Sequence, residues 1–238
     1  MTRLTNAWLD FILDPDPGTF FLESRQFPGA SLKNARFNLS FSSISGHPTV
    51  KLCSLSHDHR EEPKIGSLDV VSALYRAEEV DLEWLVEFAL PADQPLLLQR
   101  MEIRNLSEKT FHPDKLTFGD LRAGELQFSE NRPQKTAFFS NGWQSWYPML
   151  YDDGTPITRK ESEFSSDMFA AVIDHEAKVG LICGFLSQKE QFGSLISTLH
   201  PEPDLKVWAN ADRIDLRGGA SLPSDWLAWQ FFDSKDPE

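Results

Sequence analysis

The chain has 238 residues, 40% hydrophobic and 25% charged, with a formal net charge of −13. That composition is globular and supplies a sizeable core, while the acidity disfavours nucleic-acid backbones and anionic membrane surfaces as partners. No stretch approaches the ~18 apolar residues of a membrane span. Met1 to Phe21, interrupted by Asp10, Asp14 and Asp16, does not read as a signal peptide, so a cytoplasmic protein is expected. The first segment, Thr5 to Ile12, comes near a helical stripe, as does Val70 to Glu79, but both are short and uncapped. Phe37, Leu39 and Phe41 alternate with Arg36, Asn38 and Ser40, the period of a half-buried strand. The charged run Asp58 to Glu62, closed by Pro63, is expected to be a solvated loop. His57 and His59 have the spacing that sets two imidazoles on one strand face, but no metal site is expected there. Leu82, Trp84, Val86, Phe88 and Leu90 then alternate with more polar neighbours. Pro91 to Pro95 breaks the chain, and Leu96 to Arg104 resumes it as an antiparallel neighbour. Phe169 to Ile173 and Val179 to Leu186, joined by a polar turn, read as another hairpin, and Leu205, Val207 and Ala209 repeat the alternation.

Short strands punctuated by Pro and Gly over more than 200 residues predict an all-β fold, one large antiparallel sandwich. The sandwich is expected to occupy residues 1–232, with 233–238 as the start of a linker. Cys53 and Cys183 are the only cysteines, so no disulfide framework exists. A single bridge between them is the one pairing available. Cys183 sits in an apolar strand and reads as an inert core thiol. His47, His112 and His200 flank prolines and read as turn residues. No phosphate-binding loop, dinucleotide fingerprint or nucleophile elbow is present, and no cofactor is expected. Acidic residues are plentiful, but nothing singles out a catalytic pair.

The densest chemistry is in Asn141-Gly142-Trp143-Gln144-Ser145-Trp146-Tyr147-Pro148. Asn-Gly is a turn signal and Pro148 blocks regular pairing. Two indoles beside amide and hydroxyl groups suit a sugar, whose apolar C–H face stacks on an aromatic plane while its hydroxyls bond the polar groups. The alternative is that both indoles are core.

That segment resembles one in the N-terminal domain of glycoside hydrolase family 36, the α-galactosidases and their relatives. Ile103 to Ser107, Gly180 to Ser187, and Leu222 to Leu227 resemble further segments of that domain in the same order, with Asp225 where Glu is usual. The resemblance implies a large antiparallel β-supersandwich, galactose-mutarotase-like. It also implies a downstream (β/α)₈ barrel that carries the nucleophile, in a Lys-x-Asp segment, and the acid/base. Such a barrel needs ~200–250 residues, and no Lys-x-Asp occurs here, so no catalytic residue is expected in this chain. By position, Trp146 would pack on the sugar at the barrel's mouth. Trp143 and Gln144 would shape the loop, and Tyr147 stands where a small residue is usual. The implied partners are a galactoside-type carbohydrate and the catalytic barrel of the same polypeptide. Aromatics around Trp226 and Trp229 are expected to be barrel-facing surface, through which the isolated chain would self-associate as a homo-oligomer. Two other readings stand beside this one. One is a free-standing carbohydrate-binding module. The other is a mutarotase-like enzyme, with His175 or His200 meeting an acid in a cleft.

Overall fold

The computed structural model describes residues 1–16, 18–41, 49–63, 65–77, 80–130, 134–142, 150–152, 163–199 and 202–235. The two-residue period governs it throughout, and no helix occurs among the described residues. The chain opens with β1 (Thr2–Thr5), β2 (Leu9–Asp14), β3 (Thr19–Ser24) and β4 (Ser31–Phe41), all in one sheet. It crosses to a second sheet for β5 (Lys51–Glu62), β6 (Gly66–Ala77), β7 (Leu82–Pro91) and β8 (Leu97–Asn105). It returns for β9 (Pro113–Leu121) and β10 (Leu126–Gln127), then crosses again for β11 (Thr136–Ser140) and β12 (Leu150–Asp152). β13 (Phe164–Asp167) lies in the first sheet, and β14 (Phe169–Asp174) and β15 (Val179–Phe185) in the second. β16 (Phe192–Ser197) and β17 (Leu205–Asn210) rejoin the first sheet, and β18 (Ser221–Pro223) and β19 (Leu227–Asp233) close the second.

The first sheet has 9 strands, ordered β1-β2-β3-β4-β9-β17-β16-β13 with β10 beside β4. The second has 10, ordered β12-β11-β14-β15-β19-β8-β7-β6-β5 with β18 beside β8. Every pairing between these strands is antiparallel. The expected hairpins are present: β7 pairs with β8 across the Pro91–Pro95 break, and β14 pairs with β15.

Inward-facing residues of both sheets form one core. Phe11, Phe20 and Phe88 are fully buried and meet at 4.9 to 6.1 Å between ring centroids. Each such side chain contributes about 1.5–3 kcal/mol by leaving water. At the centre, Trp229 on β19 reaches across to Gly119 on β9, where a Cβ would lie 2.7 Å from its Cη2 atom. Trp229 Nε1 donates to Gln99 Oε1 at 3.1 Å, and Gln99 Nε2 donates to the Phe118 carbonyl at 3.0 Å. A fully buried amide thus ties β8 and β19 to β9 in the opposite sheet.

Two stretches that came near a helical stripe are strands, and two expectations are corrected. Thr5 to Ile12 is the β1–β2 hairpin, because the Asn6 side-chain oxygen accepts from the Trp8 and Leu9 amides, both at 2.9 Å, and turns the chain. Val70 to Ala77 lies in β6, whose ladder with β5 and β7 overrides the weak helical period. Asp58 to Glu62 is strand rather than loop, since β6 pairs with β5 along its length. β5 tolerates charge because it is the last strand of its sheet and is exposed on both faces over most of its length. Trp229 is no surface residue: it is completely buried, while Trp226 is half-buried on the outer face.

That outer face has its own small cluster of Leu68, Val70, Ala89 and Leu98, flanked by Trp226 and Ala228. Beside it, buried Glu87 accepts from Arg60 at 3.0 Å and is paired with Arg100. The Arg100 guanidinium lies 4.5 Å from the Trp226 ring centroid, a cation–π contact that covers the ion pair.

Candidate functional site

The tryptophan-rich segment is rooted on β11. Phe138 points inward against Phe164, at 5.9 Å between centroids, and Phe139 stacks on Phe169 of β14 at 6.2 Å. Asn141 is then clamped by β13. Its amide donates to Ser166 Oγ at 2.7 Å, its side-chain Nδ2 donates to the Asp167 carbonyl at 3.0 Å, and its own carbonyl accepts from the Asp167 amide at 3.1 Å. The Ser166 hydroxyl lies 2.6 Å from the Phe169 carbonyl. β12 returns beside β11, with Ser140 opposite Leu150. The segment therefore leaves and rejoins the second sheet at adjacent points near its edge. Trp143, Gln144, Trp146 and Tyr147 lie outside the described residues. The clamp at Asn141 is a feature that the Asn-Gly signal marked only as a turn; Ser166 carried no signal of its own.

The described histidines do not converge. His57 and His59 are exposed on β5. The two ring nitrogens of His59 are both engaged, Nδ1 with Asp69 at 2.9 Å and Nε2 with the Ser67 hydroxyl at 2.8 Å. The Asp69 bond raises the imidazole pKa. The composition is that of a nucleophilic relay, but the His59 side chain is 63% exposed on an edge strand, where water competes for every link. The network therefore reads as a cross-strand tie between β5 and β6. His112 pairs with Asp215 at 3.3 Å on the surface. His175 sits in the β14–β15 turn, which Asp174 organises by accepting from the Glu176 and Ala177 amides. His47 and His200 lie outside the described residues. Among the described residues no group of three His, Cys, Asp or Glu side chains could hold a metal.

Both cysteines are free, Cys53 exposed on β5 and Cys183 buried on β15. Burial pushes the Cys183 thiol well above the usual range, so it is protonated and inert. Asp225, in the place where the resemblance has Glu, is buried; it is bonded by the Ser187 hydroxyl and accepts from the Glu190 amide at 2.9 Å. It fixes the turn after β15. No helix among the described residues is long and apolar enough to cross a membrane.

No family model matches the chain, and no curated protein matches its sequence. Its fold does match solved structures. An α-galactosidase from Lactobacillus brevis aligns with a TM-score of 0.63 at 8% identity, covering 98% of this chain and 39% of that one. A family 36 α-galactosidase from Geobacillus stearothermophilus, in complex with 1-deoxygalactonojirimycin, gives the same TM-score and identity over 98% of this chain and 40% of its own. An α-N-acetylgalactosaminidase from Bifidobacterium bifidum, in complex with GalNAc, aligns at 0.63 and 11% identity, over 99% of this chain and 37% of that one. The chain spans about two fifths of the length of these structures. At such identities the likeness is one of fold, and it extends over nearly the whole sandwich.

Proposed function

We propose that this chain is the N-terminal, non-catalytic β-supersandwich of an α-galactosidase-like glycosidase. Its part is to present Trp146 as an aromatic wall at the sugar-binding site of a barrel domain in the same polypeptide. The observation that carries this reading is the pair of coverages, 98% of this chain against 39% of an α-galactosidase structure. The Trp143–Tyr147 segment adds the chemistry: one indole face to cover the apolar side of a pyranose, and amide and hydroxyl groups beside it for the sugar's own hydroxyls. The Asn141 clamp and the β11–β12 pairing fix the residues on either side of that segment. In the complete enzyme, two barrel carboxylates would carry out hydrolysis through a glycosyl-enzyme intermediate.

The test has two arms. The purified 238-residue chain is expected not to hydrolyse an aryl α-galactoside. Turnover that persists through purification to homogeneity would overturn the non-catalytic assignment. In the barrel-bearing polypeptide, Trp146→Ala is expected to raise KM for the same substrate about tenfold, the worth of ~1.4 kcal/mol of ring stacking. An unchanged KM removes Trp146 from the site.

A further inference from the structure

The outward face of the second sheet changes character at β19. On β7 and β8 it carries Glu87, Arg100 and Glu102, whose strand neighbours Val86, Phe88 and Met101 point into the core. The outward face of the first sheet is polar or charged in the same way, with Arg36 and Asn38 on β4 and Lys206 and Asn210 on β17. That is the ordinary pattern of an antiparallel sandwich, apolar toward the core and polar toward water. On β11, β14, β15 and β19 the pattern fails. Phe138, Val172, Leu181 and Phe231 point into the core, so the residues beside them point out. Those outward residues include Phe139, Phe169, Ala171, Ile173, Ile182 and Phe232. Among the outward positions of these four strands Gln230 is the one polar side chain, and none is charged.

The ladder sets these side chains together. Ala171 lies between Phe139 and Ile182, and Gly180 lies between Ile173 and Phe232. Phe232 occupies the space that a Cβ on Gly180 would take, and Phe169 crowds Gly184 in the same way, so the face is flat. No described strand lies over it: every one belongs to one of the two sheets, and the first sheet covers the other side. Phe139, Phe169, Ile173, Ile182 and Phe232 are therefore only half-buried.

We propose that this face is the surface on which the barrel domain of the same polypeptide docks, through uncharged apolar side chains of its own. The inference rests on the function proposed above and adds where the two domains meet. Position favours this occupant. Phe139 lies two residues before Asn141, so the face begins at the root of the Trp143–Tyr147 segment. A domain that takes Trp146 at its sugar site stands next to it. Charge is consistent: in a chain of net charge −13, an outward face without charge marks contact with another surface. Size decides against a free partner. Four strands at ~4.8 Å spacing, over about four residues of rise, make roughly 300 Å². Each side of a stable complex between free molecules buries about 800 Å². A domain on the same chain needs less, because the tether holds it at about millimolar effective concentration. Interfaces between domains of one chain begin near 300 Å² per side, about half of the ~600 Å² they bury in all. Trp226 marks the limit of the face, since its ring is engaged by Arg100 where charge resumes.

The experiment is hydroxyl-radical footprinting of the 238-residue chain and of the barrel-bearing polypeptide, side by side. Oxidation of Phe139, Phe169, Ile182 and Phe232 is expected to be about threefold slower, or more, in the barrel-bearing polypeptide, because side chains at the centre of an interface leave water. Leu52 and Leu55, exposed on β5, are expected to react equally in both. Equal rates at the four face residues overturn the inference. So does slowing in the 238-residue chain itself as its concentration rises from about 1 to about 100 µM with a dimer in sedimentation, which would make a second copy the occupant. The KM of Trp146→Ala separates this inference from the reading it rests on. A raised KM with unprotected face residues keeps the aromatic wall and removes the docking face. Protected face residues with an unchanged KM keep the docking face and remove the wall.

Discussion

The middle and the edge of the second sheet follow opposite rules. In the middle, β8 and β19 bury Gln99 and Trp229 completely, and even the polar amide is bonded on both sides, to Trp229 and to the Phe118 carbonyl. At the edge, β5 runs for 12 residues with most of them exposed on both faces, including Leu52 and Leu55. Both are strands with the same backbone ladder. What differs is whether the other sheet stands opposite. Core residues here are defined by position in the stack of two sheets, and the edge strand is held by pairing with β6 and by the Arg60–Glu87 ion pair to β7. Its open side is protected by charge and by an irregularity between Leu52 and Ser54, both of which discourage pairing with another chain.

The largest effect that would break this contrast is expected at Trp229. Trp229→Ala removes the ring that fills the space above Gly119 and should cost about 3–5 kcal/mol, read as a lowered urea midpoint. A cost below ~1 kcal/mol would mean that the centre packs no more tightly than the edge. Next is Gln99→Leu, which keeps the volume but strands the Trp229 N–H and the Phe118 carbonyl. About 1–3 kcal/mol is expected. Adding Trp229→Phe should return part of that loss, because the donor that needed Gln99 is gone. A strictly additive double mutant would show that the Trp229–Gln99 bond contributes nothing.

Most of the middle was legible in the sequence, and most of the edge was not. Leu82 to Leu90 and Phe37 to Phe41 announce their strands, because alternation survives wherever one face is buried. β5 carries no such alternation, since neither face is covered, and Asp58 to Glu62 therefore read as loop. Trp229 was misread for a related reason: it lies three residues from Trp226, and only the crossing of β19 over β9 decides which indole is core. At the candidate site, Asn141-Gly142 was readable as a turn, but its partners Ser166 and Asp167 are 25 and 26 residues away.

A smaller, pH-dependent effect tests the outer margin of the first sheet. Hydrogen bonds from Arg25 chiefly, with Arg3 and Thr5, outweigh burial and lower the Asp10 carboxyl from 3.8 to about 2. A folded value below the unfolded one stabilises the protein above about pH 4, and that contribution disappears as pH falls through about 2. Arg3 and Arg25 are 61% and 42% exposed, so solvent screens the pairs and only about 1 kcal/mol is expected. Urea stability measured against pH should show wild type and Asp10→Asn converging between pH ~4 and ~2. Parallel curves would assign the difference to packing rather than charge.

The smallest effect belongs to β5, and its smallness is the point. Leu55→Ser removes a large apolar side chain from a strand, a change that at Leu82 or Leu97 would open the core. Here the residue is 38% exposed and faces no opposite sheet, so the expected change is within about 0.5 kcal/mol. Thiol chemistry supplies an independent reading of the same contrast. Cys53 on β5 should react with an aromatic disulfide reagent in the native protein, while Cys183, buried on β15 with its thiol held protonated, should react only on unfolding. One rapidly titrating thiol with a near-neutral Leu55→Ser places β5 outside the core. Protection of Cys53, or a loss of several kcal/mol in Leu55→Ser, would mean that a second surface covers this edge in solution.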